Sequence, residues 1–133
     1  STFNLVGPAQ VGKSSLAAMR LVARLRGKVA VWPFDPLPER GPVLVELYTT
    51  IAARAAGVGP ARSKLRDAAA LVAAMAALGV PNPGPLDRYD DHSTDALIGA
   101  TWLRRAAEKS RLWTPTALTP ELGGVEGWTF GVP

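Results

Sequence analysis

Two groups of residues in this chain have types and spacings that could do chemistry. The first is acidic. Glu46 stands inside the apolar run VLVELY (43–48), and Asp90, Asp91, His92 and Asp95 open the stretch DDHSTDALIGA (90–100). A carboxylate within an apolar strand is costly unless it is paired, protonated or metal-bound. A strand that ends there, or runs along a sheet edge, would instead let Glu46 face water. Asp91 and Asp95 are four apart, and Asp95 follows His92 by three, so a helix beginning here projects all three from one side of its first turn. The plainer role for such acids is capping, because the positive end of the helix dipole favours carboxylates with no metal present. The chemical role is metal binding. Two-metal phosphodiester hydrolysis needs carboxylates from separate elements converging on ions about 3.5–4 Å apart, and a strand acid facing helix-start acids is such an arrangement.

The second group is GPAQVGKS (7–14), which matches G-x-x-x-x-G-K-[ST] in full. In a P-loop the glycines let backbone N–H groups wrap a phosphate at a helix N-terminus. The lysine neutralises the outer phosphates, and the hydroxyl ligates Mg²⁺. On that reading Gly7, Gly12, Lys13 and Ser14 bind ATP or GTP with Mg²⁺, and Glu46 is the one reasonable acid for the ion. The plainer reading is a glycine turn feeding a helix, with Lys13 solvated. Lys13, Arg20 and Arg24 share one side at helical spacing and could contact phosphate of a nucleic acid.

The elements that must position these residues alternate between strand and helix periodicity, which makes the class α/β. Thr2–Val6 reads as a strand and Gly7–Gly12 as a loop. A helix capped by Ser14 or Ser15 runs to about Arg26, with Gly27 at its stop and Leu16, Met19, Val22 and Ala23 as its apolar stripe. Val29–Trp32 is a short strand, and Phe34–Pro42 is a proline-rich loop. Val43–Tyr48 reads as the best buried strand. Thr49 or Thr50 caps a short helix to about Ala56, closed by Gly57. A helix over Ser63–Leu78 places Leu65, Ala69, Val72, Met75 and Ala76 on one face. VPNPGP (80–85) is a loop, and a last long helix runs from His92 or Ser93 to Lys109. After a loop containing Pro115 and Pro120, Trp128, Phe130 and Val132 alternate in a terminal strand.

Composition bounds the possibilities. The chain has 133 residues, enough for one domain or part of one, and its 47% apolar content fits a packed core. The absence of cysteine excludes a disulfide scaffold and a thiolate metal site, and a single histidine excludes a His-rich zinc site. No apolar run is long enough for a membrane span, and the first residues carry no basic leader, so a soluble cytoplasmic protein is expected. The net charge is +4, unevenly placed. Residues 1–34 carry Lys13, Arg20, Arg24, Arg26 and Lys28 with no acid, whereas Asp87, Asp90, Asp91 and Asp95 cluster around Arg88. A basic face beside an acidic knot suits a protein that holds phosphate near a metal, although both also suit solvated surface.

Taken in order, VWPFD (31–35), VLVELYTT (43–50), DDHSTDALIGA (90–100) and EGWTFGV (126–132) resemble the motifs of a bacterial family of predicted RNase H-like nucleases, related to the RuvC- and YqgF-type resolvase proteins. That family carries a glycine-rich stretch, a WPFD, a V-V-E-I-Y-P strand, an acidic D-A-[LF] helix and a closing E-G-W-I. The likeness spans most of the chain, and it reads GPAQVGKSSL as the family's glycine-rich stretch rather than a Walker motif. It implies an RNase H-like α/β fold in which Glu46 matches the strand glutamate and Asp95 the helix aspartate. His92 then resembles the H-x-x-D variant of RuvC-type sites, with Asp91 a further ligand. Thr49 stands where the family usually has proline. RNase H-like folds open with a strand bearing an essential aspartate, and no such strand is recognisable here, so residues 1–133 read as a single domain or the C-terminal part of one.

The expectation is therefore a metal-dependent nuclease acting through Glu46, Asp91, His92 and Asp95 with Mg²⁺ or Mn²⁺, and contacting nucleic acid through Lys13, Arg20 and Arg24. A P-loop nucleotide-binding protein and a catalytically inactive RNase H-like interaction scaffold are the alternatives.

Overall fold

Residues 11–25 contain no proline and no acid, and they form α1 (Val11–Leu25) in the computed structural model, which describes residues 11–59, 65–81 and 84–133. The expected strand over 2–6 and the loop residues 7–10 lie outside the described residues. The helix already includes Val11 and Gly12, so neither Ser14 nor Ser15 is its cap. Gly27 takes a left-handed φ of 76°, as a helix stop requires, and the chain turns into β1 (Ala30–Val31). β1 pairs in parallel with β2 (Val43–Leu44), Ala30 opposite Val43 and Val31 opposite Leu44. Beyond β2 a parallel bridge joins Glu46 to Thr129.

Both strands are shorter than their apolar runs. The Trp32 N–H still donates to the Leu44 carbonyl, but the chain then turns through a cis Trp32–Pro33 bond. VLVELY is not a buried strand. Val43 to Val45 are half-buried, Glu46 and Tyr48 are exposed, and regular pairing ends at Leu44. The expected C-terminal strand reduces to the Thr129 bridge, with the Phe130 N–H donating to the Glu46 carbonyl at 2.9 Å.

α2 (Thr49–Ala55) and α3 (Ala68–Ala77) close in the same way. Gly57 and Gly79 adopt left-handed φ, and the N–H groups of Val58 and Val80 reach back to the carbonyls of Ala53 and Met75. Each valine then packs on the core, the usual hydrophobic partner of this stop. α3 starts five residues later than its composition suggests, because the Asp67 side chain accepts the Ala70 N–H and sets the boundary there. Its inner face is Leu71, Ala74 and Met75, continued by Leu78; Ala69, Val72 and Ala76, expected on one face with Met75, are exposed. α4 (Asp91–Ala106) is followed by two short helices, α5 (Ser110–Trp113) and α6 (Pro120–Val125). The last was not expected; Thr119 caps it and Pro120 enters its first turn.

Among the described residues the result is a mixed α/β fold, about half helical, with a two-stranded parallel sheet. Two apolar clusters hold it. One gathers Ala52, Leu71, Met75, Leu78 and Ile98 between α2, α3 and α4. The other surrounds Phe130, which is fully buried with the rings of Trp32, Trp102 and Trp113 at 5.6, 6.1 and 4.6 Å. Trp102 touches both clusters, so α4 is the spine. Among the described residues no helix is long and apolar enough to cross a membrane.

Candidate functional site

The acidic segment forms the first turns of α4. Asp90 is the cap: its carboxylate accepts the Ser93 N–H at 2.8 Å, and its carbonyl accepts the Thr94 hydroxyl at 2.9 Å. The backbone N–H of Ser93, helped by the Ser93 side chain and the charges of His92 and Arg88, holds the Asp90 carboxyl below its ordinary value. With Asp90 as cap, Asp91 and Asp95 fall one turn apart on a half-buried side of the helix, while His92 is exposed. Asp91 pairs with Arg66, Nε to Oδ1 at 3.5 Å.

Asp95 is held from another element. The Thr49 hydroxyl donates to its Oδ2 at 3.1 Å, linking α4 to the start of α2. Neither Thr49 nor Thr50 caps α2 as expected: that helix begins after Tyr48 with no side-chain cap, and the Thr49 hydroxyl is spent on Asp95 instead. One turn further along α4, Gly99 lets the helix approach this corner, since a Cβ there would lie 3.2 Å from Leu47 Cδ2. Glu46 lies three residues before Thr49. Its backbone is fixed by the Phe130 N–H and the Thr129 bridge, and its exposed side chain carries no burial cost.

The structure thus brings Asp95 against the corner that follows Glu46, places Asp91 with Arg66, and leaves His92 in solvent. Among the described residues no three His, Cys, Asp or Glu side chains group closely enough to hold a metal ion. Thr49 and Arg66 contact the acids, but from sequence Thr49 reads only as a cap or turn residue and Arg66 has no role. Thr49 had a signal, its place in the VLVELYTT block; Arg66 had none, because its contact spans 25 positions.

Of the other group, Gly7 lies outside the described residues, Gly12, Lys13 and Ser14 fall in the first turns of α1, and Arg20 and Arg24 are exposed one turn apart on the same helix. Comparison with known proteins finds no family model, no curated relative and no solved structure that matches this chain.

Proposed function

We propose that the chain contributes carboxylates to a divalent-metal site for phosphodiester hydrolysis within an RNase H-like domain. The observation that carries this reading is the Thr49–Asp95 hydrogen bond. It ties the helix acid to the start of α2, three residues after Glu46, which supports a site drawing one carboxylate from α4 and one from the segment after β2. The donors are hard oxygens, which suit Mg²⁺ or Mn²⁺ rather than a softer metal. The bound ions would neutralise the departing oxygen and activate water.

Glu46, exposed and backbone-anchored, is free to turn toward an ion, and Asp95 is oriented by Thr49. Asp91, engaged by Arg66, is the secondary ligand, and exposed His92 orients water. The resemblance implies one further aspartate among the metal ligands. Arg20 and Arg24, with Lys13, bind the phosphate backbone in a salt-dependent way.

The test is cleavage of DNA, RNA and branched substrates by the protein with Mg²⁺ or Mn²⁺. Asp95→Asn keeps size and the Thr49 contact but removes charge, so cleavage falls at least about 100-fold while the far-UV circular dichroism is unchanged. No cleavage by wild type, or equal cleavage by the variant, contradicts the reading; the first outcome favours an inactive interaction scaffold. A P-loop is the second reading, favoured by the helix that begins at Val11 and holds Gly12, Lys13 and Ser14 in its first turns. Micromolar ATP or GTP binding abolished by Lys13→Ala would establish it in place of the first.

A further inference from the structure

A hollow of about 280 Å³ opens between the Trp32–Leu37 turn and the α5–α6 corner, remote in sequence from the acids of α4. Trp32, Pro33, Leu37, Trp113 and Pro120 form most of its wall, and among the described residues Asp35 is the one charged side chain that lines it. The indole N–H groups are spoken for: Trp32 donates to the Trp113 carbonyl at 3.1 Å and Trp113 to the Ala107 carbonyl at 2.8 Å. Trp32 is only 5% exposed, so it is the half-buried Trp113 ring that presents apolar and π surface rather than a donor. Asp35 is half-buried and fixed, its Oδ2 accepting the Val31 N–H at 2.9 Å while its own N–H donates to the Val31 carbonyl. Among the described residues no lysine or arginine pairs with it, although Lys28 lines a second hollow on its other side.

A fixed carboxylate beside indole and proline walls is complementary to an organic cation carrying a flat or aliphatic body. The charge meets Asp35, the body covers the apolar wall, and tryptophan attracts cations to its face. An anion would meet a like charge, and a neutral apolar group would cover the half-buried carboxylate while adding nothing to its one Val31 N–H bond. The volume lies just under the roughly 300–1,000 Å³ of clefts for drug-sized ligands, so the occupant is small. We infer that this hollow binds an ammonium or guanidinium group attached to a compact apolar body, either a free amine or an arginine side chain flanked by proline. The inference does not depend on the metal reading.

The test is titration of the full chain with benzylammonium, with neutral benzyl alcohol and with an acetyl-Pro-Arg-Pro-amide peptide. Tryptophan fluorescence and the indole N–H resonances of Trp32 and Trp113 report binding. Benzylammonium or the peptide is expected to bind in the millimolar range, at least about tenfold tighter than benzyl alcohol, as a salt-bridged cation should. The tighter of the two identifies the source. Asp35→Asn retains a carbonyl acceptor for the Val31 N–H but removes the charge, and it should cost at least about tenfold in cation affinity with little change for the alcohol. Should that variant fail to fold, Leu37→Arg at the exposed rim places a competing guanidinium beside Asp35 and should cost as much. Cations binding no better than benzyl alcohol, or unaffected affinity in the folded variants, would overturn the assignment.

Discussion

At the start of α4, Asp90 accepts the Ser93 N–H, Asp91 pairs with Arg66, and Asp95 accepts the Thr49 hydroxyl. Three neighbouring carboxylates thus have three different partners, and only the last reaches an element that also follows Glu46. Asp90 makes a pH prediction of definite sign. Its folded-state carboxyl lies below the ordinary value of 3.8, so its contribution is fully present above that pH and is lost as pH falls through the lowered value. Protection of the Ser93 amide, taken relative to its intrinsic exchange rate at each pH, should therefore fall on acidification below pH about 4, and Asp90→Asn, a neutral but competent cap, should flatten that dependence. An unchanged acid profile in the variant would show that another group governs the turn. His92 illustrates what spacing leaves open: the i, i+3 relation to Asp95 holds, yet the side chain faces water.

Among the elements, α3 and α1 stand at opposite ends of burial. Leu71 on α3 is 1% exposed, whereas Leu16 and Met19 on α1 are 55% and 65% exposed. Leu71→Ala should cost about 2–5 kcal/mol in urea unfolding, while Leu16→Ser should stay within about 0.5 kcal/mol. A large loss from Leu16→Ser would mean that the α1 face is covered in solution. The helices were the legible part of the sequence, since the stops at Gly27, Gly57 and Gly79 need only local chemistry. The strands were not, because an apolar run such as VLVELY shows compatibility with a sheet but not how many partners arrive; here one pairs with β2 and a single bridge follows. The same limit applies to the site. Glu46 and Asp95 could be named from pattern, but the Thr49 and Arg66 contacts depend on how α2 and the 65–67 turn pack on α4. α6 was hidden by Pro115 and Pro120, of which the second starts the helix rather than breaking it.

At the scale of the whole molecule, α4 carries the acids at its start, joins the two apolar clusters through Trp102, and meets α3 near its end, where Arg105 donates to the Leu78 carbonyl at 2.8 Å. Gly79 serves that junction twice, by its left-handed φ and because a Cβ would lie 2.9 Å from the Arg105 guanidinium. The basic residues of α1 and its end, Arg20, Arg24, Arg26 and Lys28, form a separate exposed feature. The central claim is that Glu46 and Asp95, from two elements of this frame, serve one divalent ion. The most direct measurement is a Mn²⁺ titration of the chain followed by paramagnetic broadening of its backbone amide resonances. The account predicts that amides around 46–49 and around 95 broaden together at the same Mn²⁺ concentration, and that both effects weaken in Asp95→Asn. Broadening at either segment without the other, or persistence of both in that variant, would contradict it.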